Sequence, residues 1–430
     1  MSRPGFVDVL IAVAPWLAVG SAGDAPPAYD AASWKGLITG SDCPIATTLN
    51  PKGWGRQGGE LLCERTGGSG RHFRFPPGMF DIDEQVVVPA GTTIEGNENP
   101  NDPSDKTVSP DPSTQTFFVA TSGVSNPRAN YCGTNGNLAQ GDAQRLRIGF
   151  LLLSNTVVKN INFQGKDTTR PWDNGSLCGG AAFETPGCVS PGFSKGPGTG
   201  WVGKTGCYDI GGRRNDLITG DGKGVENVLI DSVRLNDLLG DGHGTQIAVW
   251  LAQTKDGSAT KNVKVTNLVS MCTRGDGINF HGNVQDSVVE DSHIENTGDD
   301  IYAVWGGYAT GPAGIVFRNN VGKKAGVMRQ YGYGVCIAVY GAKEVTFTGT
   351  KCYDPPENTA CKHGPFCNSC LAYVHDEWFG AVYPDGNSMK FSDNEYLNLD
   401  GTPITDGRPM IRTDKNSKAV IASAQATLLP

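Results

Sequence analysis

Asn227-Val-Leu-Ile-Asp-Ser232, Asn262-Val-Lys-Val-Thr-Asn267, Ser287-Val-Val-Glu-Asp-Ser292, Gly314-Ile-Val-Phe-Arg-Asn319 and Glu344-Val-Thr-Phe-Thr-Gly349 are five versions of one short pattern. Each opens a strand-like run, and aligned on Val228, Val263, Val288, Ile315 and Val345 each has a small or polar residue four positions on (Ser232, Asn267, Ser292, Asn319, Gly349), suited to a tight turn. The copies recur at uneven steps of roughly 25 to 35 residues. Such steps fit a repeat structure in which each rung need only match its neighbours while its loops vary in length. The pattern predicts an all-β fold, a right-handed parallel β-helix (solenoid) with long disulfide-tied loops. An ordinary β-sandwich is the competing reading, because strand patterning alone does not separate the two.

Outward from the repeat, Phe75 to Gly96 alternates short β-branched runs with Pro-Gly and Ala-Gly turns, and Thr156 to Phe163 restores the strand pattern. Residues 97 to 145, rich in Asn, Asp, Pro and Ser, read as one long loop. A Gly-rich insertion runs on to about 222, and the segment after Cys352 is cysteine-rich and followed by a polar tail. The 430 residues, with 59 Gly, 26 Pro and 38% hydrophobic content, describe a turn-rich globular chain able to bury a core. A net charge of −8 argues against a nucleic acid partner, which would need a basic stripe to displace counterions.

Arg3, the apolar run Val9 to Val19 and the small residues Gly20 to Gly23 read as a secretory signal over residues 1–22. Residues 30–430 then form a single domain outside the cell, and no later stretch is apolar for the ~20 residues that a membrane span needs. In a secreted chain the twelve cysteines suggest disulfides, mostly in loop-like sequence. Cys361, Cys367, Cys370 and His363 lack the paired spacing of a zinc module. Asn174-Gly-Ser176 is an N-glycosylation sequon.

Gly275-Asp-Gly-Ile-Asn-Phe-His-Gly282 and Asn296-Thr-Gly-Asp-Asp-Ile-Tyr-Ala-Val-Trp305 place Asp276, Asp299 and Asp300 among glycines beside apolar residues. Carboxylates set on apolar strands are costly to desolvate, which points to chemistry. Counted from the repeat anchors, Asp241, Asp276 and the Asp299–Asp300 pair fall at nearly the same lateral place on successive turns of chain. Adjacent rungs are about 4.8 Å apart, so these carboxylates face each other, and one of them should keep its proton near neutral pH. An acid for a leaving oxygen and a base for water is the equipment of a glycosidase. A lone Asp in such a turn more often caps it, and calcium is a second use for the same side chains. No cofactor and no metal is called for. His281, Trp305 and Asp241 are candidate sugar contacts, the aromatic rings by stacking.

The Asp276 and Asp299–Asp300 blocks together resemble the catalytic block of glycoside hydrolase family 87, the α-1,3-glucanases. The resemblance implies catalytic roles for Asp276, Asp299 and Asp300, a polysaccharide (α-glucan) substrate, no membrane or nucleic acid partner, and inverting, endo-type hydrolysis. Inversion in turn implies acid and base carboxyls about 6.5 to 9.5 Å apart. Pectin-cleaving β-helix enzymes also use three aspartates, but here Gly242-His243-Gly244 precedes the block and no Arg-x-Lys follows Trp305. The third reading is a non-catalytic β-helix that binds wall polysaccharide.

Overall fold

The computed structural model describes residues 28–29, 72–75, 77–82, 85–88, 90–97, 110–111, 113–120, 149–165, 217–219, 224–236, 245, 247–251, 257–273, 275–306, 311–326, 334–354, 371–375, 377–378, 381–382, 388–405, 410–413 and 420–424. The expected signal segment, the Asn174 sequon, Asp241 and Cys361, Cys367 and Cys370 lie outside the described residues. Every described element is a β-strand. The strands form three parallel sheets of twelve, nine and nine strands and one two-stranded antiparallel pair, Glu377–Trp378 with Ala381–Val382. The chain visits the three parallel sheets in turn. Thr260–Thr266, Val269–Met271 and Ile278–His281 are followed by Val288–Glu290, His293–Glu295 and Tyr302–Trp305, each strand pairing with its counterpart one circuit earlier. This arrangement is consistent with a parallel β-helix.

The register bears out four of the five anchors and corrects the fifth. Val228 pairs with Val263, and Val316 with Thr346, so Ile315 faces Val345. Val288, however, pairs with Lys264 and Val316, which puts Ser287 in the anchor slot. Hydrophobic patterning misses Ser287 because a hydroxyl stands where its counterparts carry Val or Ile. The group is fully buried and satisfied, accepting from the Val263 N–H at 3.1 Å and donating to Gln285 O at 2.8 Å.

With that shift the turn position becomes one column: Ser232, Asn267, Asp291, Asn319, Gly349 and Asp393, at φ 53°, 51°, 51°, 54°, 63° and 55°. Left-handed backbone is tolerated best by Gly, Asn and Asp, which is why the sequence shows small or polar residues there. A second such column lies at or just before the starts of strands of the largest sheet. In it Asn262 Nδ2 donates to Asn227 Oδ1 at 2.6 Å, and Asn227 Nδ2 donates to Asn155 Oδ1 at 2.9 Å.

The core runs between the sheets. Phe317 and Phe347 stack at 4.4 Å with rings 5° from parallel, and Phe391 continues the column at 5.8 Å from Phe347. Burying each such ring contributes about 1.5–3 kcal/mol. Two expectations fail because apolar runs sit inside polar surroundings. Thr116–Ala120, within the segment read as one long loop, is a strand of the second sheet with Phe117 and Phe118 buried. Leu217–Thr219, within the Gly-rich insertion, is a strand of the third.

Disulfides tying loops are also not what the one described pair shows. Cys336 stands at the head of Ile337–Tyr340 in the third sheet, and Cys352 lies in Lys351–Asp354 in the second. Their bridge joins two sheets across neighbouring circuits, beside a small cavity lined by Ile301, Val335, Tyr353 and Tyr396. Buried cysteine behaves as a small apolar residue, so its place in the core follows from packing.

Candidate active site

In Ile278–His281 and Tyr302–Trp305 alternate side chains separate the faces. Ile278, Phe280, Tyr302 and Val304 enter the core, while Asn279, His281, Ala303 and Trp305 face outward. Asp276 and Asp300 precede these strands by two residues each, so the Ile278–Tyr302 register sets them side by side on neighbouring circuits. The matching position one circuit earlier is Ile247, set by the Val249–Ile278 pairing, and not an aspartate. The expected third aspartate in that column is therefore absent: counting from the anchor ignored the longer loop of that circuit.

Gly277 allows the close stacking. A Cβ there would stand 2.6 Å from both Ile301 O and Ile294 Cγ2.

Asp276, Asp299 and Asp300 come together, with a carboxylate oxygen of each within 4.8 Å of the others, and all three are buried. Asp276 Oδ1 accepts from the Asp300 N–H at 3.2 Å, and its Oδ2 accepts from the Asn279 amide. Asp300 Oδ1 accepts from the Val335 N–H at 2.8 Å and Oδ2 from the Tyr340 hydroxyl at 3.2 Å. Asp299 is fixed through its backbone: its carbonyl accepts from Thr297 Oγ1 at 2.6 Å and from the Gly326 N–H at 3.0 Å. Burial, and then the Asp299 and Asp276 carboxylates, push Asp300 well above the usual carboxylate range, against the opposing pull of Val335 and Tyr340. Burial and the same three carboxylates push the Tyr340 phenol up, so it stays a donor. Asp300 is thus the carboxyl that holds a proton most firmly, the direction in which the clustering acts.

Asp276 and Asp300, aligned on adjacent strands, inherit the strand separation of about 4.8 Å and are the pair expected to share the water, whereas the ~6.5–9.5 Å expected of an inverting enzyme concerns Asp299 against either of them. The same oxygens could hold a divalent cation, although Asp276 and Asp300 each turn both oxygens toward protein donors.

An aromatic row borders the group on the outer face. The His281 ring lies 6.5 Å from Trp250 and 6.2 Å from Trp305, Trp305 lies 5.3 Å from Tyr340, and Tyr340 lies 5.9 Å from Tyr373. Of the expected sugar contacts, His281 and Trp305 belong to this row. Sequence reading missed Asn279, Tyr340, Tyr373 and the Val335 N–H. Asn279 lies inside the quoted block and could have been singled out there. Tyr340 is forty residues from Asp300, and only the register brings them together.

No protein-family model matches the chain, and no curated protein does. Among solved structures it is similar to the catalytic unit of a thermostable family 87 α-1,3-glucanase from Streptomyces thermodiastaticus strain HF3-3, with a TM-score of 0.42, 14% identity and coverage of 83% of this chain and 47% of that one. It is also similar to a family 87 α-1,3-glucanase catalytic domain in complex with nigerose (TM-score 0.38, 11% identity, 82% and 52% covered). PfbA, a surface adhesin of Streptococcus pneumoniae, matches at a TM-score of 0.35 and 12% identity over 83% and 85% of the two chains. The chain spans about half the length of the two glucanase structures.

Proposed function

We propose that this protein is a secreted glycoside hydrolase that cleaves α-1,3-linked glucan with Asp276, Asp299 and Asp300, on a right-handed parallel β-helix. The handedness follows the rule that connections between parallel strands of one sheet are almost always right-handed. The observation that carries the activity is the group of three buried carboxyls, their oxygens within 4.8 Å of one another beside a row of aromatic rings. Asp299, at 8% exposure against 5% for Asp276 and 2% for Asp300, is the most open of the three. The one proton held by the coupled carboxyls, resting on Asp300, passes by way of Asp299 to the glycosidic oxygen as the bond from C1 to that oxygen breaks, which leaves Asp300 ionised. Asp276 and Asp300 hold the attacking water, and its proton passes to one of them as the new C1–O bond forms.

The hydrogen bonds supply the argument for inversion. Both oxygens of Asp276 and of Asp300 already accept from protein donors, so each carboxylate is pinned in place. Each can polarise a water through a remaining lone pair but is poorly placed to move onto C1. Incubation with insoluble α-1,3-glucan should release reducing ends, and Asp276→Asn, Asp299→Asn or Asp300→Asn should each lower turnover by at least ~100-fold. Proton NMR in the first minutes should show β-configured ends. Absence of hydrolysis with retained binding would make the protein a polysaccharide binder, and α-configured ends would make one carboxylate a nucleophile. Chelator should leave the rate unchanged; a loss restored by calcium would turn the carboxyl group into a cation site.

A further inference from the structure

We propose that Asn279 selects the substrate, its side-chain carbonyl accepting a hydrogen bond from a hydroxyl of a neutral sugar; this rests on the hydrolase reading above. The orientation of the amide is fixed chemically. Asp276 Oδ2 can only accept while it is ionised, so the Asn279 group facing it is the NH2, and Oδ1 points away from Asp276. That Oδ1 has no hydrogen-bond partner in the protein, and Asn279 is only 5% exposed, so bulk water does not serve it either. A buried carbonyl without a partner is costly, and at a cluster of reactive groups it asks for one supplied by the ligand.

Its position suits a sugar. Asn279 stands in an outward column between Trp250 and Ala303, with Ala338 and Tyr373 beyond, so small side chains lie next to it on the side of Asp300 and aromatic rings on either flank. The chemistry also names what is refused. A carbonyl acceptor beside three carboxyls rewards a hydroxyl donor and repels an anion. Among the described residues the first Lys or Arg along this column is Arg412, next to Tyr373 and four strands, about 19 Å, from Asn279, too far to pair with a uronate held there. The site is therefore built for uncharged, hydroxyl-rich glycans over pectic ones.

The test uses Asp299→Asn protein, in which binding is read without turnover, alone and combined with Asn279→Ala or Asn279→Ser. Calorimetry with a neutral α-1,3-linked glucotetraose and with trigalacturonate gives the affinities, and thermal melts establish that each variant is folded. The expected result is binding of the neutral ligand, weakened roughly tenfold or more by both Asn279 changes, with no measurable binding of trigalacturonate. Monodeoxy versions of the neutral ligand add a readout that a merely structural role would not move: one of them should lose affinity for the Asn279 protein and lose none for Asn279→Ala. Unchanged neutral affinity in both Asn279 variants, equal penalties for every deoxy ligand, or tight uronate binding would each overturn the proposal. Reducing ends released by the unmodified protein alongside such a result would leave the hydrolase standing without this role for Asn279. Asn279-dependent binding with no hydrolysis would do the reverse.

Discussion

Asp300 receives the Val335 N–H and the Tyr340 hydroxyl and still holds its carboxyl above the usual range, because burial outweighs both donors. The consequence for stability has a definite sign. Below the unfolded carboxyl value, about 3.9, both states carry the proton and nothing is lost. As pH rises from there through the raised folded value, the unfolded chain gives up its proton more readily, so folding is progressively disfavoured. Asp300→Asn keeps an acceptor for Val335 and removes the ionisation. It should therefore melt higher than the parent at pH 8, with the difference shrinking toward pH 3, while activity is lost. A melting difference independent of pH would show that Asp300 does not hold the extra proton. A site that gains stability when its chemistry is removed is the usual exchange between the two.

Between Tyr340 and the carboxyls, position is set by whole strands. Gly334 precedes the Val335 amide at φ 138°, where a Cβ would stand 2.5 Å from Asp299 O. Gly334→Ala must displace either the Val335 N–H from Asp300 or the backbone of Asp299. Misplacing reacting groups by about 1 Å can cost on the order of 100-fold in rate, so turnover should fall by about that much in protein that still folds. Near-normal turnover would show that the strand head can shift without the carboxyls.

These dependencies explain what the sequence made legible. Asp276, Asp299 and Asp300 stood out because each is a charged residue among apolar neighbours, a local signal. The strand rhythm was legible for the same reason, since Val228, Val263, Ile315 and Val345 are apolar where their partners are. Ser287 broke the rhythm with a satisfied hydroxyl, and Ile247 replaced the expected aspartate because loop length shifts the count. Tyr340 and Val335 act only through register, which no local pattern carries.

Across the molecule, the interior column of Phe317, Phe347 and Phe391 and the outward row of His281, Trp305 and Tyr340 lie on opposite sides of the sheets. Stability and chemistry should then be separable. Phe347→Ala should cost about 3–5 kcal/mol in chemical denaturation while turnover per folded molecule, measured well below the melting temperature, stays within a few-fold. A parallel loss of rate would mean that the core sets the site's geometry directly.

Asp276 and Asp300 owe their distance to the hydrogen-bonded pairing of Ile278 with Tyr302, so the gap between them is a spacing of the backbone lattice and not a choice of side chain. Side-chain substitutions can alter charge and contacts at the site, but they cannot widen that gap by degrees. A separation of another size is open to this scaffold only in whole steps, by inserting or deleting a complete turn of chain between the two aspartates. The distance between the two water-holding carboxyls is in that sense quantised, and a lineage that needed an intermediate value would have to recruit its second carboxylate from a different sheet.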